Sequence, residues 1–351
     1  MTGDNRGFFG NKMSGCEKFV RPLLLSATAL AIAVVALAPQ TSRADEGGVS
    51  FWLPGLFGSL AAVPVQPGFG LATIYYHTSV RSNTDTTFFK GGRFVAGLDA
   101  DANLALIVPS YAFATPVLGG QFAVSMMSVV GRNSVGIDAV LTGPRGNTIS
   151  GSISDSVTGF GDLYPAASIK WNHGVHNFMV YGTGDIPVGD YDPNRLSNIG
   201  IGHGAIDGGF GYTYLDPTKG HEFSAVAGFT YNLINPDTQY KNGVDFHLDW
   251  GASQFLSKEL LVGLVGYVYQ EIGCDSGSGD RVGCFRSRVF GVGPQIGYII
   301  PLGEWQGYLN LKGYGEFGHE NRPEGWNVWL TFAISPAAAP RPIAQTSMVR
   351  K

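Results

Sequence analysis

Between residues 69 and 334 the chain alternates apolar and polar side chains with a period of two, in runs too long for ordinary globular strands. Val244, Phe246, Leu248, Trp250 and Ala252 interleave with Asp245, His247, Asp249, Gly251 and Ser253. Leu309, Leu311, Gly313, Gly315 and Phe317 interleave with Tyr308, Asn310, Lys312, Tyr314 and Glu316. Trp326, Val328, Leu330, Phe332 and Ile334 do the same with Asn327, Trp329, Thr331 and Ala333. Phe223, Ala225, Ala227, Phe229 and Tyr231 mark one face of a further run. A period of two belongs to a strand, whose side chains point to opposite faces in turn. Globular strands average about 5–6 residues, whereas a strand tilted through a bilayer needs about 9–11, the length seen here.

A soluble β-sandwich and a transmembrane β-barrel both alternate, and their polar faces separate them. A sandwich turns that face to bulk water and loads it with Lys and Glu. Here it carries Asp, His, Asn, Tyr, Thr and Gly with isolated charges, as a barrel interior would. Charged residues make up 14% of the chain, against about 25% in soluble domains. The 51 glycines are scattered, which excludes a collagen-like repeat. Mean hydropathy is close to neutral, as it must be when lipid-facing and lumen-facing residues average out. Trp171, Trp250, Trp305 and Trp326 are read near run ends, where interface girdles sit. A net charge of −4 without a basic tract speaks against a nucleic-acid partner.

The fold expected is all-β: a closed antiparallel transmembrane barrel of about 12 strands with a short N-terminal plug-like segment. Turn signals place strands near 69–80, 88–114, 119–141, 160–171, 174–188, 203–216, 221–234, 241–256, 259–272, 286–300, 306–318 and 325–334. The 88–114 and 119–141 runs exceed one crossing, so they bend or project beyond the membrane. Short links at 115–118, 172–173, 217–220, 257–258 and 301–305 alternate with longer ones at 81–87, 142–159, 189–202, 235–240, 273–285 and 319–324. Short periplasmic turns and longer outside loops produce such a pattern. Cys274 and Cys284 bracket a Gly/Ser/Asp-rich stretch in an outside loop and are expected to form a disulfide, which an oxidising compartment preserves.

Three segments lie outside the barrel, 69–334. Lys18 and Arg21 precede an apolar run, residues 23–38, followed by Ser42, Arg43 and Ala44 before Asp45. This order describes a secretory signal peptide over 1–44, and the run is shorter than the roughly 20 residues a spanning helix needs. Met13 would give a more usual signal length than Met1, and Cys16 precedes the run, so it is no lipid acceptor. Residues 45–68 are apolar, interrupted by Pro and Gly, and do not alternate. Irregular backbone cannot face lipid, so this stretch either plugs the lumen or packs at the periplasmic mouth. Residues 335–351 read as a disordered tail.

The stretches FWLPGLFGSLAAVPVQPGFGLATIYYHTS, GDYDPNRLSNIG, AIDGGFGYTYLDP and RPEGWNVWLTFAISP carry a resemblance across residues 50–336. The chain resembles the outer-membrane transporter family named for the meta-pathway of phenol degradation. That resemblance implies a barrel in the outer membrane of a Gram-negative bacterium and passive uptake of a hydrophobic, in particular aromatic, small molecule. Its partners would be outer-membrane lipid, the hydrophobic cargo and the barrel assembly machinery. The chain departs from many barrels in carrying a long tail after Phe332, where others end on an aromatic residue.

Transport requires a lined lumen. The candidates for its lining are Lys170, Asp245, His247, Asp249, Asn310, Lys312, Tyr314 and Glu316, although such groups also pair simply to fill a narrow interior. Phe51, Trp52, Leu53, Leu56 and Phe57 are the plug candidates, offering an apolar surface beside which an apolar ligand binds or which packs the barrel shut. A structural barrel without dedicated cargo is the alternative, and a lipid-modifying enzyme the less favoured one. His77, His173, His176, His203, His221, His247 and His319 lie in no nucleophile motif, and G-x-S-x-G does not occur. No catalytic residue, cofactor or metal is expected. Asp190, Asp192 and Asn194 match the opening of a calcium loop, but Arg195 replaces its Gly and Ile201 its bidentate Glu.

Overall fold

A computed structural model describes residues 50–87, 93–142, 148–280, 283–284 and 286–337. The signal peptide, residues 45–49 and most of the tail lie outside the described residues. Twelve antiparallel strands close into one barrel: β1 (Gly68–Thr87), β2 (Arg93–Ala112), β3 (Gln121–Thr142), β4 (Thr148–His173), β5 (His176–Asp185) and β6 (Ala205–Asp216), then β7 (His221–Asn232), β8 (Val244–Phe255), β9 (Leu260–Glu271), β10 (Arg288–Leu302), β11 (Trp305–Glu320) and β12 (Glu324–Pro336). Each strand pairs with its sequence neighbours, and β1 meets β12 from Leu71↔Ile334 to Arg81↔Glu324.

Burial is inverted relative to a soluble protein. On β7, Phe223, Phe229 and Tyr231 face outward, while Glu222, Ser224, Thr230 and Asn232 are buried between them. Ile206 and Phe210 on β6 are 62% and 63% exposed, while Asp207 between them is 2% exposed. An apolar exterior around a polar interior requires lipid as the solvent, and closure leaves no strand edge in it. Trp305 and Trp326 stand exposed at the starts of β11 and β12. Trp250 does not sit at an end: it lies mid-strand on β8, over Gly266 of β9, whose missing side chain makes room for the indole.

Several expected loops are strands. Residues 81–87 continue β1, and 142–159 consist largely of the ends of β3 and β4. The Ile/Ser/Gly alternation of 148–156 is too polar to signal a membrane strand, yet it continues the ladder, with Leu141↔Ile149 and Ile137↔Ile153 in register. β1 to β4 are therefore 20, 20, 22 and 26 residues long, against 10 and 12 for β5 and β6. The link at 321–323 is short, because β11 and β12 extend further than expected, and Ser335 and Pro336 belong to β12 and not to the tail. The long links are 186–204, 233–243 and 272–287. Cys274 and Cys284 are joined in the last of these, which a bridge between Lys241 and Ser276 ties to its neighbour.

Because β5 and β12 are short, the outer ends of β4 and β1 lose their neighbours. β12 reaches β1 only as far as Arg81, and the continuous β4–β5 ladder ends at Ala166↔Thr183. Beyond it comes one isolated bridge, Leu163↔Ile186. The skipped position is Pro165, which has no N–H to give, and Thr183 Oγ1 donates to its carbonyl instead (2.9 Å).

Candidate functional site

Residues 50–67 carry no regular strand or helix, so their backbone groups need partners from elsewhere. Two turns shape the stretch, closed by Leu56 N–H to Leu53 O and by Val63 N–H to Leu60 O, each 3.1 Å. Gly55 takes a left-handed φ of 89°, and a Cβ there would stand 3.0 Å from the Tyr314 ring, so both conformation and space require glycine.

The partners are inward-facing side chains of the barrel. Asp249 on β8 accepts the N–H of Gly55 (2.9 Å) and of Phe57 (3.0 Å). Lys312 on β11 donates to the carbonyls of Gly55 (2.5 Å), Phe57 (3.0 Å) and Leu56 (3.2 Å). One carboxylate thus takes the donors of the turn and one ammonium its acceptors. Further along, Glu222 on β7 accepts from the Ser59 hydroxyl (2.5 Å) and the Leu60 N–H (2.9 Å). Thr213 on β6 accepts the Ala62 N–H (3.0 Å), and Lys170 on β4 donates to the Ala61 carbonyl (2.7 Å). Gln121 on β3 exchanges two bonds with the Val65 backbone. Partners drawn from strands so far apart on a closed barrel surround the segment.

The aromatic side chains of the segment join a buried cluster. Trp52 stacks on the His247 ring with centroids 3.6 Å apart and planes 12° from parallel. His247 Nε2 lies 2.8 Å from Asp207 Oδ2 in a fully buried hydrogen bond, and Thr230 donates to the same carboxylate oxygen. Phe51 meets Tyr164, and Phe57 lies between Trp52 and Tyr181. Leu53 and Leu56 pack against the cluster.

The interior wall has two characters. Its β6–β8 side is mainly polar, with Asp207, Thr213, Glu222 and Asp249 among its buried residues; β10 and β11 add Gln295 and Lys312, beside Val265, Tyr267, Tyr269 and Tyr314 of the apolar cluster. Its β1–β3 side is apolar: Ile74, Tyr76, Leu106 and Val129 are buried in the cluster, with Leu104, Val108 and Met127 packed on it. The backbone of residues 55–62 is bonded mainly to the polar side, while Phe51 and Trp52 share the cluster of the apolar side.

Of the residues singled out in the sequence, Lys170, Asp249, Lys312, Tyr314 and His247 meet the segment. Asp245, Asn310 and Glu316 brace the wall instead. Asp245 accepts from Asn232, Asn310 donates to the Ile296 carbonyl, and Glu316 accepts from the Tyr267 hydroxyl and the Gly325 N–H. Sequence reasoning missed Asp207, Thr213, Glu222 and Gln121. Glu222 was within reach, since it lies on the polar side of a run whose apolar side was recognised.

At the far end, Asp190 pairs with Arg195 (2.5 Å), and the N–H groups of Asn194 hold the Asp192 carboxyl below its ordinary pKa. These contacts make 190–195 a self-bonded turn. On the lipid side, a shallow pocket of about 790 Å³ spans β1 to β6. Tyr111, Met126 and Ile206 edge it, and Pro165, Gly182 and Gly184 line it where the ladder is interrupted.

Fold and interior together define a membrane-spanning β-barrel with an occupied lumen. Residues 84–332 match the family described as "Putative MetA-pathway of phenol degradation", and the chain belongs to that family. Among solved structures it is similar to an outer membrane channel from Pseudomonas putida F1, at 12% identity and a TM-score of 0.59, covering 78% of this chain and 97% of that one. This likeness shows the shared fold. A FadL homologue from Pseudomonas aeruginosa aligns at 8% identity and a TM-score of 0.37, over 85% and 95% of the two chains. Among curated proteins none matches.

Proposed function

We propose that the protein is a passive outer-membrane channel for apolar, in particular aromatic, small molecules, with residues 50–67 as its plug. The observation that carries the reading is the divided interior. The segment is fastened by its backbone to polar side chains of the wall, and its aromatic side chains belong to a buried cluster that also takes in the apolar wall on β1–β3. An apolar molecule moving along that second wall need not displace the charged groups that hold the plug. Lys170, Asp249 and Lys312 are then plug holders, and Asp245, Asn310 and Glu316 keep the barrel in shape.

Family membership and the likeness to a channel from a Pseudomonas support this reading. The start of β1 and the end of β12, with turns such as 174–175 and 303–304, fall on the side assigned to the periplasm, since such turns are short there. Insertion is assigned to the barrel assembly machinery. A channel is favoured over a lipid-modifying enzyme by the state of His247. Its ring is covered by Trp52 and its Nε2 engaged by Asp207, whereas a general base must face a nucleophilic hydroxyl.

The filled lumen also suits a structural barrel without cargo, and uptake separates the two. Cells carrying the gene should accumulate radiolabelled toluene or naphthalene faster than cells lacking it. Equal initial rates at every concentration would leave only the structural reading.

A further inference from the structure

β1 to β4 rise well beyond the membrane, and their two faces exchange character as they do. On the outer face, the lower strands present Phe69, Tyr111, Val124 and Met126 to lipid. Higher up, the same face carries the Arg81–Asp99 ion pair (2.8 Å), Asn103 bonded to Tyr75 and His77, and Arg132 bonded to Ser156. Above these come Asp138, Ser150 and Ser154. A polar outer face marks water or headgroups, so about ten residues of each strand, roughly 30 Å along its axis, stand outside the hydrocarbon.

The inner face does the opposite. Tyr76, Leu104 and Gly131 share one register row, and Tyr76 points into the barrel. Steps of two outward from that row reach Ala102, Ala100 and Leu98 on β2 and Asn133, Val135 and Ile137 on β3. Val157, Asp155, Ile153 and Ile149 stand opposite on β4. Ser82 of β1 shares the row of Leu98, Ile137 and Ile153. Two polar members of these rows are engaged, since Asn133 donates to the Asn198 carbonyl and Asp155 accepts the Ser197 N–H. That loop buries Val157 to 8% exposure but leaves Ile153 at 69% and Ile149 at 71%. Downward, the face runs into Leu104, Leu106 and Val129 without a change of strand.

We propose that this inner face, centred on Ile137, Ile149 and Ile153, collects apolar small molecules from outside the cell and passes them to the apolar wall of the barrel. The occupant follows from continuity. The surface leads into the apolar interior cluster, and its back, not its front, meets the membrane surroundings, so membrane acyl chains do not reach it. Its delivery role rests on the channel reading above, while its binding role does not.

The full-length protein in lipid nanodiscs would be photolabelled with an iodophenyl diazirine, with and without excess naphthalene, and the labelled peptides mapped. Label is expected on 131–142 and 148–157, displaced by naphthalene. The I149D/I153D double variant should lose about ten-fold of that label, since two exposed aliphatic contacts are removed. It should also slow uptake at low naphthalene while leaving the saturated rate unchanged. An S150D/S154D variant, altered on the outer face, should behave as wild type, and heat-modifiable migration checks folding of both. Displaceable label without uptake in wild type would uphold the collecting surface and overturn the channel. Uptake with no label on the sheet, or unaltered by I149D/I153D, would overturn the collecting surface alone. Pairs of chains joined along the β4 edge by a bifunctional crosslinker, with label that naphthalene does not displace, would make the face an interface between copies and also overturn it.

Discussion

At the scale of single residues, Asp249 and Lys312 divide one task. The carboxylate holds the N–H groups of the turn at 55–57 and the ammonium holds its carbonyls, so neither can replace the other. Bonds to charged groups contribute about 1.5–3 kcal/mol each, and a buried group left without its partner costs a comparable amount. Asp249→Asn keeps one acceptor and turns an N–H2 toward a backbone donor. Lys312→Met leaves three carbonyls without their donor. Both variants should loosen the segment and raise ion conductance in planar bilayers, with the barrel still migrating as a folded species. Conductance equal to wild type in both would mean that the segment is held chiefly by its aromatic packing.

At the scale of elements, the weakest seam is between β4 and β5. Pro165 stands where the ladder would place an N–H facing the Gly184 carbonyl. Pro165→Ala restores the donor and should complete the ladder, with a net gain of about 1 kcal/mol. Hydrogen exchange is the direct check: Gly184 and its neighbours should exchange more slowly in the variant. Unchanged exchange would show that the seam is held open by something other than the missing donor. The sequence shows the strand number and most of the turns, because an apolar lipid face makes period two conspicuous in β6 to β12. The outer ends of β1 and β4 were hidden because their polarity inverts above the membrane, so Ile149 and Ile153 sat among serines where an outside loop was expected. The plug anchors were partly visible. Asp249 and Lys312 stand out on polar faces, whereas Thr213 and Gln121 acquire their role only from backbone groups distant in sequence.

At the scale of the whole molecule, closure does not depend on the segment inside. Every strand pairs with two neighbours without it, so a chain lacking residues 50–66 should still assemble. Its lumen would then be lined on one side by hydrated Asp249, Glu222, Lys170 and Lys312. Single-channel recording should show a wide, stable pore, and a variant that conducts no better than wild type would place the constriction in the walls. The intact molecule has the contrary property. Its interior charges are engaged by the segment's backbone or by neighbouring side chains, and its β1–β3 wall is apolar, so a charged antibiotic finds few partners to exchange for its hydration shell. A cell displaying the proposed channel would gain a route to oily nutrients while keeping its envelope sealed against hydrophilic poisons.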